Sequence, residues 1–276
     1  MSELRRPLAV LLCSILALAA LGGCERPGRE QSEPTPSASA PTPSAPAAAP
    51  KSSPTAEGAD LSGRTVAIDP GHNGGNASHP RDIASPVPDG RGGTKACNTT
   101  GTATDSGFPE AEFTWKVSEV LAEELRAAGA EVIVSREDND GVGPCVDERG
   151  TFADDADLLV SIHANGSEST TTRGFHVIVA DPAVSEELEE PSSRLAEAIA
   201  DSMGESFTPN RAYGDEAISR RSDLAGLNNA SVPAVIVECG EMRNPEEAEL
   251  MESAEGQRDY AAALFDGIVA WFAQSR

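Results

Sequence analysis

The chain has 276 residues, with 45 acidic side chains against 21 lysines and arginines and a formal net charge of −24. That balance excludes a nucleic-acid partner, because phosphate binding requires a basic face. The length admits one large or two modest domains, enough to bury a sizeable core.

The N-terminus reads as a secretory signal over residues 1–24: Arg5-Arg6, an apolar run from Leu8 to Leu21, then Leu21-Gly22-Gly23-Cys24. The run is too short for a comfortable membrane span. Leu-Gly-Gly-Cys resembles a bacterial lipobox, which implies lipidation of Cys24 and anchoring to the outer face of the cytoplasmic membrane. Residues 25–60 are Pro, Ser, Ala and Thr with almost no large apolar side chains. Such a segment cannot offset its ordering entropy, so a disordered spacer is expected there. One domain remains, residues 61–276.

Within it, Val66 to Ile68 reads as a strand stopped by an Asp69-Pro70-Gly71 turn that delivers His72. A polar stretch from Asn73 to Pro109 follows; connections this long are usually functional or disordered. His79 within it is expected to be a solvated loop residue. Phe113, Val117, Val120, Leu121 and Leu125 recur at threes and fours, predicting an amphipathic helix that ends at Gly129, with Glu110 near its start. Glu131 to Arg136 predicts a strand, and Asp147 to Ala153 a short helix. Ala156 to Ile162 is a buried-type strand ending at His163. Gly174 to Ala180 is another, with His176 expected as a packed side chain. Ser185 to Met203 predicts an acidic amphipathic helix broken near Pro191. Pro233 to Val237 is a strand delivering Glu238, and helices close the chain around 246–251 and 257–272. Cys97 and Cys145 sit in Gly/Pro-rich loops of an exported chain, which predicts a disulfide between them. Cys239 follows an apolar strand and is expected to be a buried, unreactive residue.

Alternating strands and helices predict a single α/β domain, with a mostly parallel twisted sheet flanked by helices on both faces. Parallel strands would bring His72, His163 and Glu238 to one rim. Two imidazoles and a carboxylate with a fourth position open form the donor set of a catalytic zinc site. There the metal polarises a carbonyl and acidifies its bound water, while a second carboxylate serves as general base. Spacing alone leaves open whether Glu110 or Glu238 is the ligand.

Four segments carry a family resemblance: Val66-Ala67-Ile68-Asp69-Pro70-Gly71-His72, Glu110 opening a helix, Ser161-Ile162-His163-Ala164-Asn165, and Val235-Ile236-Val237-Glu238-Cys239-Gly240. In order and spacing they resemble the motifs of zinc-dependent N-acetylmuramoyl-L-alanine amidases, the amidase_3 group. The loop Gly90-Arg91-Gly92-Gly93-Thr94-Lys95 and the two loop cysteines are similar to those of mycobacterial cell-wall amidases. The resemblance implies Zn²⁺ held by His72, Glu110 and His163, with Glu112 a nearby alternative to Glu110. It also implies Glu238 as the catalytic carboxylate, acting with zinc-bound water. The implied reaction cuts the amide between N-acetylmuramic acid and L-alanine in peptidoglycan or its muropeptides, and a monomer is expected. Asn165, Arg136 and Arg221 are candidates for supporting or substrate-contacting roles. The sequence departs from the family at Cys239-Gly240-Glu241-Met242, where many members have Gly-Phe, which bears on the shape of the groove. Two rival readings use the same residues: a zinc peptidase or deacetylase on another wall amide, and a non-catalytic wall-binding lipoprotein.

Overall fold

The structure, a computed structural model, describes residues 58–275 except Asp215. The expected signal, Cys24 and nearly all of the expected spacer lie outside the described residues. In chain order the elements are β1 (Thr65–Pro70), α1 (Pro80–Ile83), β2 (Pro86–Pro88), β3 (Thr94–Ala96), α2 (Glu110–Ala127) and β4 (Glu131–Val134). There follow α3 (Glu148–Thr151), β5 (Leu158–Asn165), β6 (His176–Ala180), α4 (Glu186–Ser206), β7 (Ile218–Arg221), α5 (Ala225–Asn228), β8 (Ala234–Glu241), α6 (Pro245–Glu252) and α7 (Ala254–Gln274).

Six strands form one sheet in the order β4-β1-β5-β8-β6-β7. The first four run parallel; β6 is antiparallel to β8, and β7 is parallel to β6. The sheet is thus mixed but mostly parallel, with helices on both faces. The faces differ in weight. Val66, Ile68, Val160, Ile162, Val235 and Val237 point to the side of α2, α4 and α7, where Phe113, Leu121, Leu195, Ile199, Tyr260 and Leu264 are all buried. Tyr260 meets the Phe113 ring edge-on at 5.4 Å and stacks on Phe207 at 4.1 Å. Full burial of such side chains stabilises by roughly 1.5–3 kcal/mol each. On the opposite face Ala67, Leu159, Ile178 and Ile236 are covered by a smaller cluster around Ala153, Leu227 and Ala230. Its helices α3 and α5 have four residues each, and this lighter face carries the cleft described below.

Several sequence expectations shift in detail. Asp69-Pro70, expected as a turn, continues β1 and pairs with Ser161 and Ile162 of β5. Pro70 is tolerated because its backbone faces the β4 side, where pairing has already ended at Ile68–Val134. The turn falls instead at His72, whose φ is +59°. The helix α4 does not break at Pro191. A proline removes only one helical hydrogen bond, and buried Leu195, Ile199 and Met203 hold the helix against α7 while Trp271 Nε1 donates to the Pro191 carbonyl at 3.1 Å. Both β5 and β8 overrun their expected ends, so His163 and Glu238 sit inside strands, directly paired in register. The short strand β7 escaped sequence analysis, because Ile-Ser-Arg-Arg lacks an apolar pattern.

The long polar stretch is ordered by its contacts. Cys97 and Cys145 form the expected disulfide, and the Val146 amide donates to the Cys97 carbonyl at 2.7 Å. The hairpin β2–β3 docks through Asn228, whose Nδ2 donates to the Asp89 and Ser222 carbonyls at 3.0 and 2.9 Å.

Candidate metal centre and its cleft

The site begins where β1 runs out. Asp69 is buried and accepts from Ser135 Oγ at 2.5 Å, Ser161 Oγ at 2.7 Å and Arg149 Nη1 at 2.5 Å. Burial pushes its carboxyl up, but Arg149 and the two hydroxyls outweigh that and hold it below the ordinary value of 3.8. Arg149, also buried, further donates to the carbonyls of Pro70 (2.7 Å), His72 (2.7 Å) and Pro144 (3.0 Å). It thereby clamps the strained backbone that presents the His72 ring. Arg136 makes a second clamp, donating to Pro70 O at 3.0 Å and to Ala111 O at 3.0 Å, which ties the end of β1 to the first turn of α2. Burial and the nearby Arg149 lower its pKa to about 10. Its remaining hydrogen bonds reach the Asp138 carbonyl, Asn139 Oδ1 and Thr114 Oγ1, none of them directed into the cleft, so the structure gives Arg136 a supporting place.

The helix α2 starts at Glu110 after Pro109, and its carboxylate lies between two imidazoles. Glu110 Oε1 is 3.2 Å from His72 Nε2 and 3.0 Å from His163 Nδ1. The same oxygen accepts from the Ala164 amide at 3.1 Å, and Oε2 accepts from the Thr102 amide at 2.9 Å. His72 Nδ1 lies 3.1 Å from the Thr99 carbonyl, which requires that nitrogen to carry the proton and leaves Nε2 as the donor atom. One ligating atom from each of the three residues falls within 4.8 Å of the others. Burial raises the Glu110 pKa, but the two histidines outweigh it and hold the carboxyl well below the usual range. For His72 the same contact acts in reverse: burial lowers its pKa, and Glu110 more than restores it. Two nitrogens and an oxygen crowded onto one point fit a divalent cation of intermediate softness. Glu112, the alternative ligand, instead accepts from Asn139 Nδ2 at 2.8 Å, away from the imidazoles.

Backbone closeness makes the trio possible. A Cβ on Gly71 would stand 2.4 Å from the His163 ring. One on Gly101, whose φ is +73°, would stand 2.8 Å from Glu110 Oε2 and 3.0 Å from the His72 ring.

Alongside the trio runs a cavity of about 420 Å³, with Glu238 in its wall. Glu238 Oε2 is buried and has no hydrogen-bond partner. Burial, then the negative charges of Glu110 and Glu241, raise the Glu238 pKa well above the usual carboxylate value, against a smaller pull from Arg221. A carboxyl with raised basicity facing a cleft has the character of a proton acceptor. Its cross-strand neighbour on the other side is His176, which is buried, stacked on Tyr213 at 4.0 Å and 3.3 Å from Asn165 Nδ2. Burial, helped by Arg221, brings the His176 pKa down to about 4, so the ring is uncharged at neutral pH. Asn165 and Arg221 line the cleft. His79 is exposed in its loop, and Cys239 is buried with its thiol pushed up by burial, both as expected. The departure Glu241-Met242 does not reach the cleft: both residues are buried, and Glu241 Oε2 accepts from the Ser167 amide at 3.0 Å. Sequence reasoning missed Arg149, Thr99, Thr102 and Gly101. A buried aspartate ending a strand signals the need for a cation, but not which one.

The sheet order and the His-Glu-His donor set together define an α/β protein with a candidate mononuclear metal centre in its cleft. The family model for N-acetylmuramoyl-L-alanine amidase matches residues 66–270, and the chain belongs to that family of hydrolases. The N-acetylmuramoyl-L-alanine amidase Rv3717 of Mycobacterium tuberculosis is 43% identical over 225 residues, spanning 80% of this chain and 92% of that protein. The crystal structure of the N-acetylmuramyl-L-alanine amidase Ami1 from Mycobacterium smegmatis aligns with a TM-score of 0.75 at 41% identity, covering 78% of this chain and 100% of that one. Ami1 from Mycobacterium abscessus aligns with a TM-score of 0.73 at 43% identity, covering 76% and 99%.

Proposed function

We propose that the chain hydrolyses the amide between the lactyl group of N-acetylmuramic acid and L-alanine in peptidoglycan, with His72, Glu110 and His163 holding Zn²⁺ and Glu238 as general base. The observation that carries this reading is an unpartnered buried carboxylate oxygen, on Glu238, in the cleft beside three clustered ligand atoms. When bound, zinc supplies Lewis acidity that polarises a carbonyl and acidifies water. The remaining chemistry belongs to the protein. The Thr99 carbonyl fixes the His72 tautomer, and the amides of Thr102 and Ala164 fix the two oxygens of Glu110, as outer partners of metal ligands commonly do. Glu238 takes the proton of the attacking water and passes it to the leaving alanine nitrogen.

The domain is proposed to act outside the cytoplasmic membrane, exported by residues 1–24, held by lipid on Cys24 and spaced by residues 25–60. Among the described residues, no helix is long and apolar enough to cross a membrane.

Mass spectrometry of digested muropeptides tests the reading. The expected products are lactyl-bearing glycan and peptides beginning with L-alanine. Other fragment ends favour a peptidase or deacetylase. Wall binding without stoichiometric zinc or turnover favours the non-catalytic reading. Glu238→Gln is expected to retain zinc while losing turnover, and retained turnover removes the assigned base.

A further inference from the structure

Three cationic side chains line the cleft: Arg149, Lys95 and Arg221. Arg149 is buried, and each of its three nitrogens donates to Asp69 or to a backbone carbonyl. The other two have side chains 38% and 43% exposed, and both converge on Asp223. Arg221 donates Nε to Oδ1 at 2.8 Å and Nη2 to Oδ2 at 2.6 Å. Lys95 Nζ lies 4.0 Å from Oδ2 and donates to the Asp223 carbonyl. Among the described residues Asp223 is the one carboxylate paired with either cation within 4.0 Å, while Asp89 and Glu238 act on Lys95 and Arg221 from farther off. The chain as a whole carries −24 and has only three lysines, so two cations converging on one carboxylate are not a sample of the average surface.

The two cations come from distant parts of the chain. Lys95 lies on β3 and Arg221 ends β7. The hairpin is brought to this wall by Asn228, which holds the Asp89 and Ser222 carbonyls and accepts from Arg91 Nε at 3.1 Å. Lys95, Arg221 and Glu238 line one cavity, so the pair belongs to the same cleft as the proposed base. Asp223 grips one edge of the guanidinium, which leaves Nη1 for a ligand; a guanidinium held in plane this way suits a planar carboxylate.

We propose that Lys95 and Arg221 form an anion subsite that receives a carboxylate on the peptide portion of the substrate, near the scissile amide. This rests on the amidase reading and sharpens it, selecting acidic over amidated peptide stems.

The test compares N-acetylmuramoyl-L-alanyl-D-glutamate, with both carboxylates free, against its diamide, on the full zinc-loaded chain. The free acid is expected to be preferred about tenfold in kcat/KM, carried by KM, since charge-assisted hydrogen bonds at a partly exposed site act mainly on binding. The preference should shrink as salt rises, and the ratio should fall to near one in the Lys95→Met/Arg221→Gln double variant. Asp223→Asn removes the competing charge while its amide oxygen can still accept from the guanidinium, and it should strengthen binding of the acid, the opposite of what loss of a merely structural ion pair would do. Calorimetric binding of both compounds to Glu238→Gln supplies a readout independent of turnover. Equal use of acid and diamide by the wild type overturns the subsite while leaving the amidase reading intact. Selective binding of the acid without cleavage of either compound supports the subsite and fails the amidase reading. Parallel loss of both substrates in the double variant overturns the subsite.

Discussion

Arg149→Met is the substitution that most directly tests how the centre is held. It retains much of the buried volume but deletes donors to Asp69 and to the Pro70, His72 and Pro144 carbonyls. Breaking a buried ion pair from one side costs roughly 3–5 kcal/mol, because the remaining charge is stranded. Ser135 and Ser161 still donate to Asp69, which places the expected cost toward the lower end. In a domain of this size each kcal/mol moves Tm by about 2–4 °C, so a fall of roughly 6–12 °C is expected. The centre should suffer beyond the loss of stability. Once its carbonyl is released, the His72 backbone is free to leave φ +59°, and support of this kind is worth roughly 10–100-fold in metal affinity.

The assay is thermal unfolding by circular dichroism together with zinc titration at a temperature where both proteins are folded. Arg149→Lys is the informative companion: it keeps the charge but cannot reach Asp69 and three carbonyls with one ammonium, so it should recover part of the stability and little of the zinc affinity. The pH dependence has a defined sign. Asp69 titrates below 3.8 in the folded protein, so its contribution is complete above about pH 4 and fades as pH falls through the lower folded value. The gap between wild type and Arg149→Met should therefore be widest at neutral pH and narrow in acid. A variant that melts within about 2 °C of wild type and binds zinc equally well would refute the clamp.

Gly101→Ala puts a Cβ 2.8 Å from Glu110 Oε2 at a residue with φ +73°; zinc affinity should fall by about tenfold or more with the far-ultraviolet spectrum unchanged, read by metal competition. Reduction of Cys97–Cys145 opens a loop of 48-residue separation, worth about 4 kcal/mol by the chain-entropy relation, so the melting temperature should drop on adding a phosphine reductant. His176 has its pKa depressed from 6.5 to about 4, so the unfolded chain binds more protons there between those values. Stability should climb as pH rises from 4 to 6.5, with about 3 kcal/mol from this residue. Urea titrations of His176→Gln at pH 4.5 and 7 should lose that part of the difference.

The central strands β1, β5 and β8, the period of α2 and the order of His72, Glu110, His163 and Glu238 were legible because each is written in a few contiguous residues, although all three strands run past their expected ends. Burial of Phe113, Val117, Leu121 and Leu125 follows from period alone. The supports were not legible. Arg149 reaches Asp69, Pro70 and His72 across 77 to 80 residues, and a side chain donating to backbone carbonyls leaves no pattern in the residues that accept. Reversal of β6 was hidden for a related reason: Val177 to Val179 is apolar enough to be buried in either direction. Pro191 misled because propensity is local, whereas the face that holds α4 is built by α7.

The two faces of the sheet divide the tasks. Long helices on one side bury most of the large apolar side chains. The other face is left thin, with four-residue helices α3 and α5 and small residues such as Ala67 over the middle of the sheet. A thin face leaves room for a cavity but gives little to fix its walls. The walls are fixed instead by polar and covalent ties: the arginine clamps, the disulfide and the Asn228 anchor. Cutting any of these ties should alter metal or substrate affinity by more than the loss of stability accounts for, whereas a truncation under α2 such as Leu121→Ala should lower stability and leave affinity unchanged in the molecules that remain folded.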